Sequence, residues 1–344
     1  MVHIINPEDI VELCKSLPII DVRAPAEFLQ GHIPGAFNLP LFDDEERKHV
    51  GTAYKQQSRE AAIMTGLDYA GKKLTYYVKR AKEIAPDKQI LLHCWRGGMR
   101  SESMAWLLSL AGFEVFLLKG GYKAYRKTIS DNWDSHLPVM VLSGKTGTGK
   151  TDILHQMLEM DQQILDLEDI AHHKGSAFGG IGQPSQPTNE QFENDLGNAW
   201  LQLTHNKPVW IEDESRTIGT VFLPDKLFPR IIGSTVIYLE MPKSLRIQRL
   251  VNDYAGYPKN LLNSSIEKIH RKLGGQHAKA AIDAIEKDDF ETAADIILYY
   301  YDKSYGFNLL QRDPSMIHTI KTNTSDAKEN ATMILEYCNN MNLI

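Results

Sequence analysis

Residues 144–151 constrain the fold of this chain more than any other segment, and their sequence is Gly144-Lys-Thr-Gly-Thr-Gly-Lys150-Thr151. They follow the apolar run Val139–Leu142 and precede a helical pattern over Asp152–Met160. A G-x-x-x-x-G-K-[ST] turn between a buried strand and a helix surrounds phosphate oxygens with backbone N–H groups. The segment therefore predicts an α/β sheet with a di- or triphosphate site at this turn. The predicted diphosphate-binding residues are Gly144, Gly147, Gly149, Lys150 and Thr151.

An acidic segment, Glu212-Asp213-Glu214-Ser215-Arg216, follows a second apolar run, Val209–Ile211. A strand that ends in a carboxylate is the usual companion of such a phosphate loop, where it holds Mg²⁺ through water. Asp213 or Glu212, together with Thr151, is therefore the candidate for Mg²⁺, and we expect no tightly bound cofactor. An acidic turn without a metal is the alternative. The loop indicates a polyphosphate and does not identify it as ATP.

A cysteine-bearing loop, Cys94-Trp-Arg-Gly-Gly-Met-Arg-Ser101, joins the apolar strand Gln89–His93 to a helix predicted from about Ser101 to Ala111. Loop N–H groups, the positive end of the helix and two nearby arginines favour a thiolate, and the same cradle would bind a tetrahedral oxyanion. Two glycines let the backbone curl. We therefore predict a nucleophilic cysteine in an oxyanion cradle formed by Cys94, Arg96, Gly97, Gly98, Arg100 and Ser101. Cys14 and Cys338 are predicted to be ordinary thiols beside apolar residues.

Strands and helices alternate along the chain, which is typical of parallel sheets with helices on their faces. The length of 344 residues predicts two domains, at roughly 150 residues each. The alternation restarts after a polar stretch that ends at Pro138. We therefore place the domains at 1–134 and 135–344, with a helical insertion at about 43–89 and a largely helical region from about Pro242.

Composition narrows the class of protein further. Hydrophobic residues at 42% and charged residues at 24% lie in the ordinary globular range. Three widely spaced cysteines argue against a disulfide framework and against structural zinc. The first residues lack the basic segment of a signal peptide, and no apolar run approaches the roughly 18 residues of a membrane span. We therefore expect a cytoplasmic protein that does not bind membranes.

Positive charge is concentrated in one stretch of an otherwise acidic half. Net charge is −6 overall, and residues 243–281 oppose eight basic side chains with only two acidic ones. Such a stretch could contact a phosphate backbone, or it could be a solvated helix face balanced by the acidic residues 282–302 that follow. Its eight basic residues are Lys243, Arg246, Arg249, Lys259, Lys268, Arg271, Lys272 and Lys279.

Two N-terminal segments resemble the opening signature of rhodanese-like sulfurtransferase domains: Asp21-Val-Arg-Ala-Pro-Ala-Glu27-Phe28 and Gly31-His-Ile-Pro-Gly-Ala-Phe-Asn-Leu-Pro40. Cys94 falls where these domains carry their persulfide-bearing cysteine. The resemblance covers roughly residues 1–130 and implies a rhodanese-like parallel sheet. The Cys-x5-Arg spacing to Arg100 is one residue longer than the common Cys-x-x-Gly-x-Arg loop. Rhodanese-fold phosphatases share this longer spacing, which indicates a substrate that bears phosphate.

The two loops together resemble the bacterial tRNA 2-selenouridine synthases. The cysteine loop of that family, Cys-x-Arg-Gly-Gly-x-Arg-Ser, matches residues 94–101, and its phosphate loop matches residues 144–151. Its Glu-Asp-Glu-Ser-Arg strand end matches residues 212–216, and its His-x-Gly-Ser-x-Phe-Gly segment matches His173–Gly179. The similarity spans essentially the whole chain. It implies a rhodanese-like domain followed by a P-loop NTPase-like α/β domain with a helical C-terminal part.

This resemblance implies a transferase that acts on the wobble uridine of tRNAs of the Lys, Glu and Gln type. 2-Thiouridine would first be S-geranylated with geranyl diphosphate held by the phosphate loop. Selenium from selenophosphate would then replace the geranylthio group. Cys94 would carry the selenium as a perselenide, with Arg96 and Arg100 on the phosphate group. The candidate tRNA contacts are Arg246, Arg249, Arg271 and Lys272, and the next candidates lie within the 43–89 insertion.

Three other functions compete with this one. A phosphatase or arsenate-reductase-like enzyme would account for the Cys-x5-Arg spacing and would leave the phosphate loop unexplained. An ATP-dependent kinase with an inert rhodanese adaptor would make Cys94 dispensable. A non-catalytic module that binds tRNA or protein would explain neither loop.

Overall fold

The structure is a computed structural model that describes residues 1–133, 137–309 and 312–344. Two compact units are present. The first consists of Met1–Trp133 together with Glu193–Gln202, and the second contains the remaining described residues. No helix within these described ranges is long and apolar enough to cross a membrane.

The first unit is built on a five-stranded parallel sheet with the order β1-β5-β4-β2-β3. Its strands are β1 Val2–Ile5, β2 Ile19–Asp21, β3 Phe37–Asn38, β4 Gln89–His93 and β5 Glu114–Leu118. Its helices are α1 Ile10–Leu13, α2 Pro25–Gln30, α3 Asp44–Gln56, α4 Arg59–Ala70, α5 Leu74–Ile84, α6 Met99–Leu110 and α7 Gly121–Asn132. The central β4 is buried from Ile90 to His93, as expected for a parallel strand covered on both faces.

Three helices occupy the segment predicted to be a helical insertion. The Asp43 carboxylate accepts a hydrogen bond from the Glu46 backbone N–H, and the Glu46 carboxylate accepts one from the Asp43 backbone N–H, which forms a capping box at the start of α3. Ser58 caps α4 by accepting from the Ala61 N–H. The Tyr77 hydroxyl of α5 donates to the carbonyl of Leu41 and ties the insertion to the core.

Residues Glu193–Gln202 group with the first unit through a buried asparagine. The Asn194 side-chain amide donates to the carbonyl of His32 at 2.8 Å and to the Tyr122 hydroxyl at 2.7 Å, and its oxygen accepts from Arg126 at 3.0 Å. The Trp200 indole lies 5.5 Å from that of Trp133. No pattern in the sequence indicated this association.

The second unit contains another five-stranded parallel sheet, with the order β12-β11-β6-β8-β7, and a two-stranded hairpin. The strands are β6 Val139–Gly144, β7 Gln163–Leu165, β8 Val209–Glu212, β9 Thr217–Ile218, β10 Val221–Phe222, β11 Thr235–Glu240 and β12 Ile317–Lys321. The remaining helices are α8 Lys150–Glu159, α9 Leu167–Ile170, α10 Asn189–Leu201, α11 Leu227–Ile232, α12 Lys243–Tyr254, α13 Lys259–Leu273, α14 Gly275–Glu286, α15 Phe290–Leu309 and α16 Ala327–Asn340.

The predicted α/β class with parallel sheets and a helical C-terminal part is confirmed. The region from Pro242, predicted to be largely helical, also contains the strand β12. Its sequence, Ile-His-Thr-Ile-Lys, gives only one buried residue at the edge of the sheet, so it lacks the apolar run that marked the central strands.

Candidate active sites

Cys94 lies at the carboxyl end of β4, where the chain leaves the sheet for α6. Its side chain is buried, and the Ser101 hydroxyl donates a hydrogen bond to the Cys94 sulfur at 3.1 Å. The N-terminal N–H groups of α7 donate to the carbonyls of Cys94 and Trp95, at 2.9 and 3.0 Å. The loop is thus fixed on both sides, and Ser101 places a hydrogen-bond donor next to the sulfur.

Three glycines make the cysteine loop possible. Gly97, Gly120 and Gly121 all have positive φ, and a Cβ atom on Gly121 would lie 2.3 Å from the carbonyl oxygen of Cys94. A Cβ atom on Gly97 would lie 2.8 Å from the carbonyl oxygen of Leu118. Side chains are therefore excluded where the two backbones meet. Gly98 differs, since it has negative φ and open space around it, and it serves as the N-cap of α6.

Arg100 is held in place by Glu27 of the rhodanese-like signature. One guanidinium nitrogen of Arg100 lies 2.6 Å from a Glu27 carboxylate oxygen, and a second lies 3.5 Å from the other oxygen. Burial acts to raise the pKa of Glu27, but the hydrogen bond and charge of Arg100 outweigh it and lower the pKa. Glu27 therefore stays ionised and orients the arginine, while Arg96 is exposed to solvent.

A buried ion pair lies next to the cysteine loop. Arg23 and Asp21 are fully buried and paired at 2.6 Å, and the Arg23 guanidinium lies 3.9 Å from the centre of the Tyr122 ring. Burial lowers the pKa of His93, which favours its neutral form next to Cys94. These residues connect the sequence signature to the cysteine loop.

The two other cysteines are in apolar surroundings. Burial raises the pKa of Cys14 to about 12 and that of Cys338 to about 11. Both therefore remain thiols at neutral pH and are poor nucleophiles, in line with their predicted ordinary role.

The phosphate loop connects β6 to α8 in the second unit. Gly147 and Gly149 have φ of +87° and +76°. A Cβ atom on Gly149 would lie 2.7 Å from the Arg249 guanidinium, and one on Gly144 would lie 2.7 Å from the Thr148 hydroxyl. Lys150 is the first residue of α8, so the predicted loop residues lie at the N-terminus of a helix, where phosphate is favoured.

Carboxylates gather beside Lys150 and Thr151. The Thr151 hydroxyl donates to Glu168 at 2.8 Å. Burial raises the pKa of Glu214 to about 8 against the opposing charge of Lys150, and the carboxylates of Glu168 and Asp213 add to the rise. Sequence reasoning missed Glu168, because it follows β7, a strand of only three residues that no pattern predicted.

The carboxylates predicted to hold Mg²⁺ form hydrogen bonds and ion pairs with other groups of the protein. Asp213 accepts from the Ser143 hydroxyl at 2.7 Å and from Arg312. Glu212 is buried and accepts from the Leu167 N–H, and burial with the nearby charges of Asp166 and Glu168 raises its pKa well above the usual range. Within the described ranges, no group of three or more His, Cys, Asp or Glu residues could hold a metal ion. The assignment of Asp213 or Glu212 to Mg²⁺ therefore stays a prediction.

The prediction that Arg246 contacts tRNA at the surface conflicts with its position. Arg246 is only 2% exposed, pairs with both carboxylate oxygens of Asp302 at 2.8 Å and donates to the carbonyl of Thr146 in the phosphate loop. Arg249 pairs with Asp152 and packs against Gly149. The two arginines lie three residues apart on α12, as predicted, but they border the phosphate loop.

The rest of the basic stretch divides into two groups. Lys243 pairs with Asp295 and Lys259 with Asp288, so the acidic residues that follow the stretch balance part of it. The remaining four side chains are exposed and form no ion pair among the described residues: Lys268, Arg271, Lys272 and Lys279. Three of these four lie on α13 at helical spacing, as predicted.

Known proteins match both units. Residues 137–334 match the family described as the tRNA 2-selenouridine synthase AAA domain, and residues 6–128 match the family described as the rhodanese-like domain. The chain is 35% identical over 349 residues to the tRNA 2-selenouridine synthase of Nitrosomonas europaea, covering 86% of this chain and 90% of that protein. It is 34% identical over 339 residues to the synthase of Shewanella denitrificans, covering 88% of this chain and 91% of that protein.

A third relative, the tRNA 2-selenouridine synthase of Shewanella loihica, is 36% identical over 339 residues, with 86% of this chain and 88% of the relative covered. The matches extend over both units and include both the cysteine loop and the phosphate loop. This chain therefore belongs to the tRNA 2-selenouridine synthase family of tRNA-modifying transferases.

Proposed function

We propose that this chain converts wobble 2-thiouridine in tRNAs of the Lys, Glu and Gln type into 2-selenouridine, in the cytoplasm and in two reactions. One observation carries the proposal: the chain has two anion-binding loops, each at the carboxyl end of a central parallel strand. The loop after β4 contains the Cys94 thiol beside Arg100, and the loop after β6 contains Lys150 and no thiol. Two chemically different phosphate compounds are therefore expected as substrates.

The first reaction is S-geranylation with geranyl diphosphate. The sulfur of 2-thiouridine attacks C1 of the geranyl group, and the C–O bond breaks so that diphosphate leaves with the electron pair. Loop N–H groups, Lys150 and Arg249 surround the position that suits this leaving group and stabilise its growing charge. Alkylation makes the sulfur a much better leaving group for the second reaction.

The second reaction replaces the geranylthio group with selenium. Water takes the PO3 group of selenophosphate as orthophosphate, and a low-molecular-weight disulfide accepts the two electrons that are released when the Cys94 thiolate and the selenide-level selenium join as a perselenide. Arg96 and Arg100 hold the phosphate group, and Glu27 keeps Arg100 oriented. The perselenide then attacks C2 and expels geranylthiolate, and a thiol reductant splits the Se–S bond to free Cys94.

Reconstitution tests this function directly. With tRNA that contains 2-thiouridine, we expect geranyl diphosphate alone to give S-geranyl-2-thiouridine, and later addition of selenophosphate and dithiothreitol to give 2-selenouridine. Mass spectrometry of the digested nucleosides measures both products. Selenation of 2-thiouridine without any geranyl donor, or a requirement for ATP hydrolysis, would contradict the proposed sequence of reactions.

We propose that the exposed basic side chains of α13 contact the phosphate backbone of tRNA. We expect Arg271→Ala with Lys272→Ala to weaken tRNA binding and to reduce the slope of log affinity against log salt by about 1.4 to 1.8, since each lost phosphate contact removes roughly 0.7 to 0.9. Fluorescence anisotropy over a salt series measures both quantities.

The matched control for this test is Lys243→Ala with Lys259→Ala, which removes two charges that acidic partners already balance. An equal change in slope for both double variants would show that only net charge matters. The tRNA would then have to lie over the 43–89 insertion, where Arg47, Lys48, Lys55 and Arg59 are the next candidates.

A further inference from the structure

An apolar pocket opens beside the phosphate loop in the second unit. It contains about 540 Å³ of empty space, a figure that includes open solvent at its mouth. Helices α12, α13, α14 and α15 all contribute to its wall, with Leu250, Leu262, Ile285 and Ile297 among the lining residues. The pocket is therefore formed mainly by the helical C-terminal part.

The pocket is continuous with the phosphate site. Thr146 of the phosphate loop lines it, and α12 contributes to both places. Arg246 and Arg249 of that helix contact the loop, while Leu250 and Tyr254 further along it line the pocket. A ligand whose phosphate end lies at Lys150 can therefore extend into the pocket.

The segment His173–Gly179 also contributes to the wall, through Ser176 and Phe178. The Ala177 N–H beside them donates to the hydroxyl of Tyr301, at 3.0 Å. That phenol is thus already engaged in holding the segment against α15. The family motif in this segment, which the reactions themselves do not use, builds one side of the pocket.

The chemistry of the wall distinguishes between classes of ligand. Among the described residues that line the pocket, none is charged and none carries a side-chain amide. A purine or pyrimidine would leave several ring donors and acceptors without partners here, which is unfavourable in an apolar environment. A hydrocarbon chain needs no such partners and gains from leaving water.

We propose that this pocket binds the hydrocarbon tail of the prenyl diphosphate donor, so that the phosphate loop serves a lipid-like diphosphate and excludes nucleotides. The inference rests on the proposed geranylation and adds the location of the tail. The depth of the pocket also selects the chain length of the donor, because a shorter prenyl group leaves apolar wall uncovered.

Isothermal titration calorimetry on the full chain tests the location of the tail. We expect geranyl diphosphate to bind on the order of a hundredfold more tightly than dimethylallyl diphosphate or inorganic diphosphate, because the shorter ligands bury fewer carbons. GTP and ATP should bind no better than inorganic diphosphate. Equal affinities for geranyl and inorganic diphosphate would overturn the pocket assignment.

A variant that fills the pocket provides a second test. Ala294 lines it and is half-buried, so Ala294→Phe should weaken geranyl diphosphate binding at least tenfold while leaving inorganic diphosphate binding unchanged. Ala280→Phe, the same substitution at an exposed position of α14, should match the wild type. Retained inorganic diphosphate binding and an unchanged thermal unfolding temperature would show that Ala294→Phe folds.

These results separate the two proposals. Geranylation that depends on Lys150 but is unaffected by Ala294→Phe would overturn the pocket assignment and leave the proposed function intact. A wild-type chain that binds ATP tightly and ignores geranyl diphosphate would overturn the proposed geranylation itself.

Discussion

Cys94→Ala is expected to abolish 2-selenouridine formation and to let S-geranyl-2-thiouridine accumulate. The thiol is the only group in its loop that can accept selenium, whereas the phosphate loop proposed to serve geranylation belongs to a separate sheet. The selenated nucleoside should fall below detection, and the geranylated nucleoside should form at the wild-type rate. Mass spectrometry of digested tRNA from a single reaction measures both.

Cys14→Ala and Cys338→Ala are the matched controls, because both thiols have pKa values raised by burial and should not react. Normal selenation by Cys94→Ala would refute its assignment as the selenium carrier. Mass spectrometry of the intact wild-type chain adds a sharper criterion, since a perselenide shows the isotope pattern of selenium. A phosphate adduct on Cys94 would instead show attack at phosphorus, the chemistry of the phosphatases that share the Cys-x5-Arg spacing.

For Lys150→Ala, we expect loss of geranylation by about 10²–10³-fold, the usual effect of removing one donor from a preorganised site. In the proposed reaction the ammonium group stabilises charge that develops on the departing diphosphate, and the remaining loop N–H groups would not replace it. Selenation should proceed normally when pre-geranylated tRNA is supplied. Separate assays of the two half-reactions, each with its own substrate, measure this difference.

Lys207→Ala removes the same charge from a half-buried position in the same unit, where the side chain pairs with Asp161, and should leave both half-reactions unchanged. Equal loss of both half-reactions in Lys150→Ala would mean that the lysine supports the fold or a shared step. Dependence of wild-type turnover on ATP would favour the kinase with an inert rhodanese adaptor.

Much of this architecture could be predicted because its strongest signals are local. The bounds of β4 agree with the sequence prediction, since this strand is a continuous apolar run at the centre of a parallel sheet. Both anion-binding loops are contiguous segments with glycines at positions of positive φ. Short-range geometry of this kind can be inferred from spacing alone.

Pairs distant in sequence could not be inferred in this way. Glu27 and Arg100 are 73 residues apart, and Asp213 and Arg312 are 99 apart. A count of charges along the chain shows that acids follow the basic stretch, but it does not show that Asp302 neutralises the buried Arg246. Which acidic side chain pairs with which basic side chain depends on the packing of α12 against α15, and no local sequence pattern encodes that packing.

The association of Glu193–Gln202 with the first unit has a consequence for the order of synthesis. Domains generally fold in order as the chain leaves the ribosome. Here Tyr122 and Arg126 of the first unit are translated early, but their hydrogen-bond partner Asn194 is translated only after β6 and the phosphate loop. The first unit of a nascent chain therefore lacks this segment until β6 and β7, two of the five strands of the second sheet, have been made, and a gene fragment that stops at Trp133 does not encode it.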